Sequence, residues 1–147
     1  MKVTFCGHRD VINREAVEEW LRSVCVDLII NGADEFYLGG YGSFDHMCAA
    51  VLRELKSANP HIRLVLVLPY LNSSMLTVGY DETVYPPLES VPRRFAISRR
   101  NEWMVLESDA VVAYVTHGWG GAAKTLEYAR RKKKNILLFG ASEEVRQ

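Results

Sequence analysis

Ile62-Arg63-Leu64-Val65-Leu66-Val67-Leu68 is the stretch on which the fold turns: Arg63 alone interrupts seven otherwise apolar residues. A strand with one wet face alternates apolar and polar residues, whereas a run apolar on both faces belongs to a strand covered on both sides, as in a parallel sheet between helix layers. Working outward, Glu35-Phe36-Tyr37-Leu38 and Val3-Thr4-Phe5-Cys6 read as strands upstream. Ala110 to Val115 and Ile136 to Phe139 read as strands downstream. Between them the apolar spacing is helical: Val17, Trp20, Leu21, Val24 and Leu28 after an Asn13 N-cap, stopped by Asn31-Gly32. A second helix carries Met47, Ala50, Val51 and Leu55, with Ser43 or Asp45 as its cap and an end near Asn59-Pro60. Phe95 to Leu106 reads as a third, and a fourth opens at the glycines near 120 and ends in the basic run Arg130 to Lys134. This alternation predicts one doubly wound, Rossmann-like α/β domain over residues 1–147, with about five mostly parallel strands and helices on both faces.

Composition agrees with one such domain. The chain has 147 residues, 48% hydrophobic and 24% charged, with 18 basic against 18 acidic side chains. That balance argues against a nucleic-acid partner held by bulk charge, and Arg130 to Lys134 reads as a solvated helix end whose cations complement the dipole. No apolar run approaches the ~20 residues of a membrane span, and the N-terminus does not read as a signal peptide. Three cysteines, Cys6, Cys25 and Cys48, without paired spacing read as buried reduced thiols of a cytoplasmic protein. No metal site and no cofactor are expected.

Right-handed crossovers place every strand-to-helix loop on one edge of the sheet, where α/β proteins bind ligands. Three such loops carry candidate residues. Gly7-His8-Arg9-Asp10 follows the first strand; Arg9 offers a bidentate fork to an anion, or pairs with a nearby acid such as Asp10. Gly39-Gly40-Tyr41-Gly42-Ser43-Phe44-Asp45 follows the second, and its three glycines exceed what a turn needs, which favours close approach of a ligand. Thr116-His117-Gly118-Trp119-Gly120-Gly121 follows the strand at 110–115 and leads into Thr125 and Glu127 on the helix. Neither the G-x-G-x-x-G nor the Walker spacing is present. Trp119 is placed to stack on a base, while His117 is an acid or base candidate or simply a hydrogen-bonding loop residue. Ser98-Arg99-Arg100-Asn101 adds one arginine directed to the site and one to solvent. Pro69 to Pro92 is too long for an ordinary connection and reads as an irregular loop or lid. Its Tyr70, Tyr80 and Tyr85 suit covering a base, unless Leu71, Leu76 and Leu88 fix it to the core. Together the loops read as a site for a phosphorylated, nucleotide-like ligand.

With these motifs in place the chain resembles the SLOG superfamily, closest to its small YpsA/YoqJ-like branch. The resemblance runs over nearly the whole length. It is carried by Phe5-Cys6-Gly7-His8-Arg9, Gly39 to Asp45, Tyr85-Pro86-Pro87, Arg100-Asn101-Glu102-Trp103-Met104 and Gly120-Gly121-Ala122-Ala123-Lys124-Thr125. It implies a protein that senses or sequesters a nucleotide-derived, phosphate-containing small molecule. The implied ligand set is Gly7, His8, Arg9, Gly39, Gly40, Gly42, Phe44, Asp45, Tyr70, Arg100, Asn101, His117, Gly118, Gly120, Gly121 and Thr125. The superfamily also holds LOG-type phosphoribohydrolases, which cut the N-glycosidic bond of nucleoside 5′-monophosphates, and the DNA-processing protein DprA. The alternative is therefore a LOG-like N-glycosidase with Arg100 and Glu127 acting at the ribose, and the weakest reading is DprA-like DNA binding. Arg100 and Met104 fit the R-K-x-x-M stretch of LOG enzymes with Asn101 in place of the lysine. The P-G-G-x-G-T-x-x-E loop is matched by Gly120, Gly121 and Thr125, with one extra residue before the threonine and no proline. Two helical residues rotate by about 200°, so Thr125 and Glu127 face different directions, which ranks hydrolysis second. A homodimer is compatible with the sequence.

Overall fold

The computed structural model describes residues 1–71 and 76–141. Six strands form a parallel sheet: β1 (Lys2–Gly7), β2 (Glu35–Leu38), β3 (Arg63–Val67), β4 (Glu82–Val84), β5 (Ala110–Tyr114) and β6 (Asn135–Leu138), in the order β4-β3-β2-β1-β5-β6. Helices α1 (Arg14–Ile30) and α2 (Gly42–Lys56) pack together on one face; α3 (Ala96–Glu107) and α4 (Gly121–Arg131) pack together on the other. The expected α/β architecture is thus present. β3 is buried from Leu64 to Val67, with Leu64 in one core and Val65 and Val67 in the other, as its two-sided apolar character requires. Cys6, Cys25 and Cys48 are free and buried, and burial pushes the Cys6 and Cys25 thiols up to about 12.

Three local expectations change. The stretch from Pro69 contains the sixth strand, β4, an edge strand of three residues paired with β3 from Val65 to Val67. Asp81 moors it, accepting the Leu64 N–H at 2.7 Å and a 2.7 Å hydrogen bond from Lys56 Nζ. Tyr80 packs against the core and Leu88 is buried, whereas Leu71 and Leu76 are exposed; residues 72–75 of the expected lid lie outside the described ones. Asn13 precedes α1 but in the left-handed conformation, φ 65°, and its side chain caps nothing. At α2 the N-cap is Tyr41, and it is Asp45, one turn in, whose carboxylate reaches back to the Tyr41 N–H at 3.2 Å.

The order of the strands reverses at β1, which has β2 on one side and β5 on the other. Ligands of open α/β sheets bind in the crevice at the carboxyl ends of strands beside such a switch point. Here the crevice lies between Gly7 and Tyr114, which are register partners.

Candidate functional site

At that crevice lies a cleft of about 750 Å³, within the range of small-molecule sites. The loop after β1 supplies Gly7, His8, Arg9 and Asp10; α2 and the turn before it supply Asp45 and Tyr41. α3 contributes Arg100, Asn101 and Met104, and the loop after β5 contributes His117, Trp119, Gly120 and Gly121. The three loops therefore converge on one edge of the sheet.

The first loop is tied down from several sides. The His8 N–H donates to the Tyr114 carbonyl at 3.2 Å, extending the β1–β5 ladder, and the Tyr114 hydroxyl bonds both the N–H and the carbonyl of Ile12. Gly7 has no room for a side chain, because a Cβ there would fall on the Phe44 ring. Phe44 itself is fully buried and stacks near Tyr114, so this predicted ligand residue is a core residue beneath the site. Arg9 is exposed at the cleft and, among the described residues, forms no ion pair.

The glycines after β2 serve the packing of the loop itself. A Cβ on Gly39 would lie 3.0 Å from Arg100 Cζ and 3.2 Å from Asp45 Oδ2. Gly42 has φ 86°, and a Cβ there would lie 2.9 Å from Arg9 Cα, where the Ser43 N–H donates to the Arg9 carbonyl at 2.7 Å. Gly40, also at positive φ, has its carbonyl 3.1 Å from His46 Nε2. None of these three glycines lines the cleft.

Arg100 is only 2% exposed. Its Nη1 donates to the carbonyls of Gly39 at 3.1 Å and Val67 at 2.7 Å, and its Nε to Asn101 Oδ1 at 2.8 Å. The guanidinium thus braces the carboxyl ends of β2 and β3 while forming part of the cleft floor. Burial lowers its pKa, and the neighbouring Asp45 carboxylate opposes that shift. Burial pushes the Asp45 carboxyl up to about 6, against the Arg100 charge and the N–H groups of Tyr41 and Gly40.

The loop after β5 is built differently. Gly118 and Gly121 have open space where a Cβ would be, and Gly120, at φ 91°, meets only His117 Cε1 at 4.0 Å. Gly120 is the N-cap of α4 without a side-chain cap, so the amides of Gly121, Ala122 and Ala123 lack helical acceptors, and Gly121 and Ala122 line the cleft. Thr125, expected at phosphate, is buried and donates to the Gly121 carbonyl at 2.9 Å. Glu127 is 61% exposed, 3.7 Å from Arg130, and outside the cleft, as is Gly118. Tyr70 is not among the residues lining the cleft; its hydroxyl donates to the Arg93 carbonyl at 3.4 Å and its ring lies beneath the Arg93 guanidinium.

Two features escaped the sequence reading. Tyr114 and Ile97 line the cleft, and His8 and His117 stack on each other. The signal for the second was indirect: both histidines follow strands that turn out to be neighbours in register. Among the described residues no cluster of three or more His, Cys, Asp or Glu side chains could hold a metal, and no helix is long and apolar enough to cross a membrane.

No family model and no curated protein matches the sequence. Solved structures do match in shape. The X-ray structure of TM1055 superposes with TM-score 0.59 at 20% identity, over 92% of this chain and 71% of that one. The molybdenum cofactor carrier protein of Chlamydomonas reinhardtii gives 0.60 at 17% identity, over 97% and 79%. DNA processing protein A of Streptococcus pneumoniae gives 0.66 at 16% identity over 97% of this chain, which spans about half of that protein. Placement in the YpsA/YoqJ-like branch rests on the sequence motifs alone. The chain shares the α/β fold of these three proteins.

Proposed function

We propose that the chain binds a nucleotide-derived, phosphate-containing small molecule in this cleft, as a sensor or sequestering protein. The observation that carries the reading is the N-terminus of α4, where three amides without acceptors sit behind glycines that open space surrounds. An anion there gains hydrogen bonds and a favourable dipole, and Arg9, which lines the same cleft, supplies a counter-charge. Likeness to a cofactor carrier protein supports small-molecule binding in this architecture. Hydrolysis at the ribose by Arg100 and Glu127 finds no support in the geometry: one is committed to backbone carbonyls and the other points to solvent.

Calorimetric titration with adenosine and guanosine monophosphates, and with cyclic and ribosylated relatives, tests the reading. Binding is expected with wild type and is expected to be lost in Gly121→Leu, whose fold survives because nothing lies within 4 Å of the new Cβ. A folded wild type that takes up none of these ligands would refute it.

A further inference from the structure

His8, His117 and Trp119 form a column of aromatic rings in the cleft. His8 and His117 are parallel with centroids 3.8 Å apart and planes at 12°; His117 and Trp119 are 3.7 Å apart at 22°. The column starts edge-on at Tyr114, 5.7 Å from His8, and so is rooted in β5. Its inner nitrogens are not offered to a ligand. His8 Nε2 accepts the Thr116 N–H at 2.8 Å, and His117 Nδ1 is buried without a partner. A histidine set to exchange protons keeps its nitrogens within reach of the reacting group, whereas these rings are arranged by their faces. The last ring, Trp119, is 71% exposed, with His117 against one face. One face of the indole is packed and the ring lines the cleft, which leaves its other face free to stack on a planar group.

We infer that the open face of Trp119 is the stacking platform for a planar heterocycle of the ligand, and that His8 and His117 are positioning residues that hold that face in the cleft. The inference rests on the ligand reading above and specifies what the ligand carries besides phosphate: an aromatic base. Trp119 precedes Gly121 by two residues, about 7 Å of chain at most, so the platform and the α4 amides lie within the span of one nucleotide. Stacking is sequence-tolerant, so the platform selects a base without choosing among bases.

Three probes separate the parts: adenosine, ribose 5-phosphate and adenosine 5′-monophosphate, titrated into the whole chain. Trp119→Ala is expected to weaken adenosine and the monophosphate about tenfold and to leave ribose 5-phosphate within about twofold, with Trp119→Phe recovering most of the loss. His117→Ala should shift the two base-bearing probes in the same direction and spare ribose 5-phosphate. Because His8 must be neutral to accept the Thr116 N–H, the affinity ratio of monophosphate to ribose 5-phosphate should fall between pH 7.5 and 5.5. Phosphate titration cancels in that ratio. The charged and titratable groups sharing the cleft with His8 are His117, Tyr114, Arg9, Asp10, Asp45 and Arg100. Equal losses for the monophosphate and ribose 5-phosphate in Trp119→Ala, or no loss for either base-bearing probe, would overturn the platform. Adenosine binding that depends on Trp119, with no gain from phosphate and no binding of ribose 5-phosphate, would keep the platform and overturn the phosphate reading. Failure of all three probes to bind would overturn both.

Discussion

The turn after β2 and the turn after β5 carry the same signature, three glycines between a buried strand and a helix, yet their glycines exist for different reasons. At Gly39 and Gly42 an added Cβ meets the Arg100 guanidinium, the Asp45 carboxylate or the backbone of Arg9. At Gly118 and Gly121 it meets nothing. The first set is consumed by the protein: one glycine admits a buried arginine and the other lets two loops touch backbone to backbone. The second set leaves space that no part of the described chain fills. A glycine-rich turn is therefore evidence for a ligand only where its missing side chains are not already replaced by neighbouring atoms.

The largest expected effect tests the first half of that contrast. Gly42→Ala places a side chain on a residue at φ 86° and 2.9 Å from Arg9 Cα, so left-handed strain adds to overpacking against backbone. A loss of about 3 kcal/mol in urea unfolding is expected, against about 0.5 kcal/mol or less for Gly121→Ala. Similar stability of the two variants would erase the distinction between the loops.

Next in size is Asp45→Asn, which probes whether the turn after β2 is built around a carboxylate. Burial raises Asp45 from 3.8 to about 6, so the fold favours its protonated form. That contribution is fully present below about pH 3.8 and is lost as pH rises through 6. Asparagine keeps an acceptor for the Tyr41 N–H and removes the buried charge. The variant should therefore exceed wild type by on the order of 2 kcal/mol at pH 8 and match it near pH 4, read from thermal melts at the two pH values.

The layers of the fold were legible because they follow from periodicity: β3 needed two covered faces, and the α1 stripe at Val17, Leu21 and Leu28 needed one. β4 was not, because an edge strand of three residues needs no apolar run and is held instead by Asp81, a contact between distant segments. The convergence of the three loops was legible from topology alone. Which side chains enter the cleft was not. Phe44 and Asp45 are adjacent in the motif, but one is core and the other lines the cleft, since consecutive helical residues diverge by about 100°. The histidine stack depends on β1 pairing with β5, a neighbour more than 100 residues away in sequence.

A smaller effect concerns the anchor of the second loop. Burial, and then the nearby His117, lower the His8 pKa below its ordinary 6.5. A histidine with a depressed folded value contributes stability that is present above about pH 6.5 and lost as pH falls through the folded value. The Thr116 amide, held by His8 Nε2, should therefore lose hydrogen-exchange protection on acidification below pH 6.5, after correction for the intrinsic rate. The Ser43 amide, at the turn after β2 and held by the Arg9 carbonyl, should not change over the same range. Parallel behaviour of the two amides would mean that the second loop is not separately latched.

The smallest expected effect is none at all, at Glu127. On α4 the buried Thr125 hydroxyl donates to the Gly121 carbonyl, and two further residues turn the chain by about 200°. Glu127 consequently leaves the helix on the solvent side, where Arg130 lies 3.7 Å away in an exposed pair worth at most a few tenths of a kcal/mol. Glu127→Gln should unfold within about 0.5 kcal/mol of wild type and bind nucleoside monophosphates within about twofold, an affinity difference of about 0.4 kcal/mol. Free base released by wild type and abolished by Glu127→Gln would require this carboxylate to reach a ribose, which it cannot do while Thr125 remains buried. That result would mean that α4 rotates on binding, and the open space around Gly121 would then be room for the movement of a helix rather than for a ligand alone.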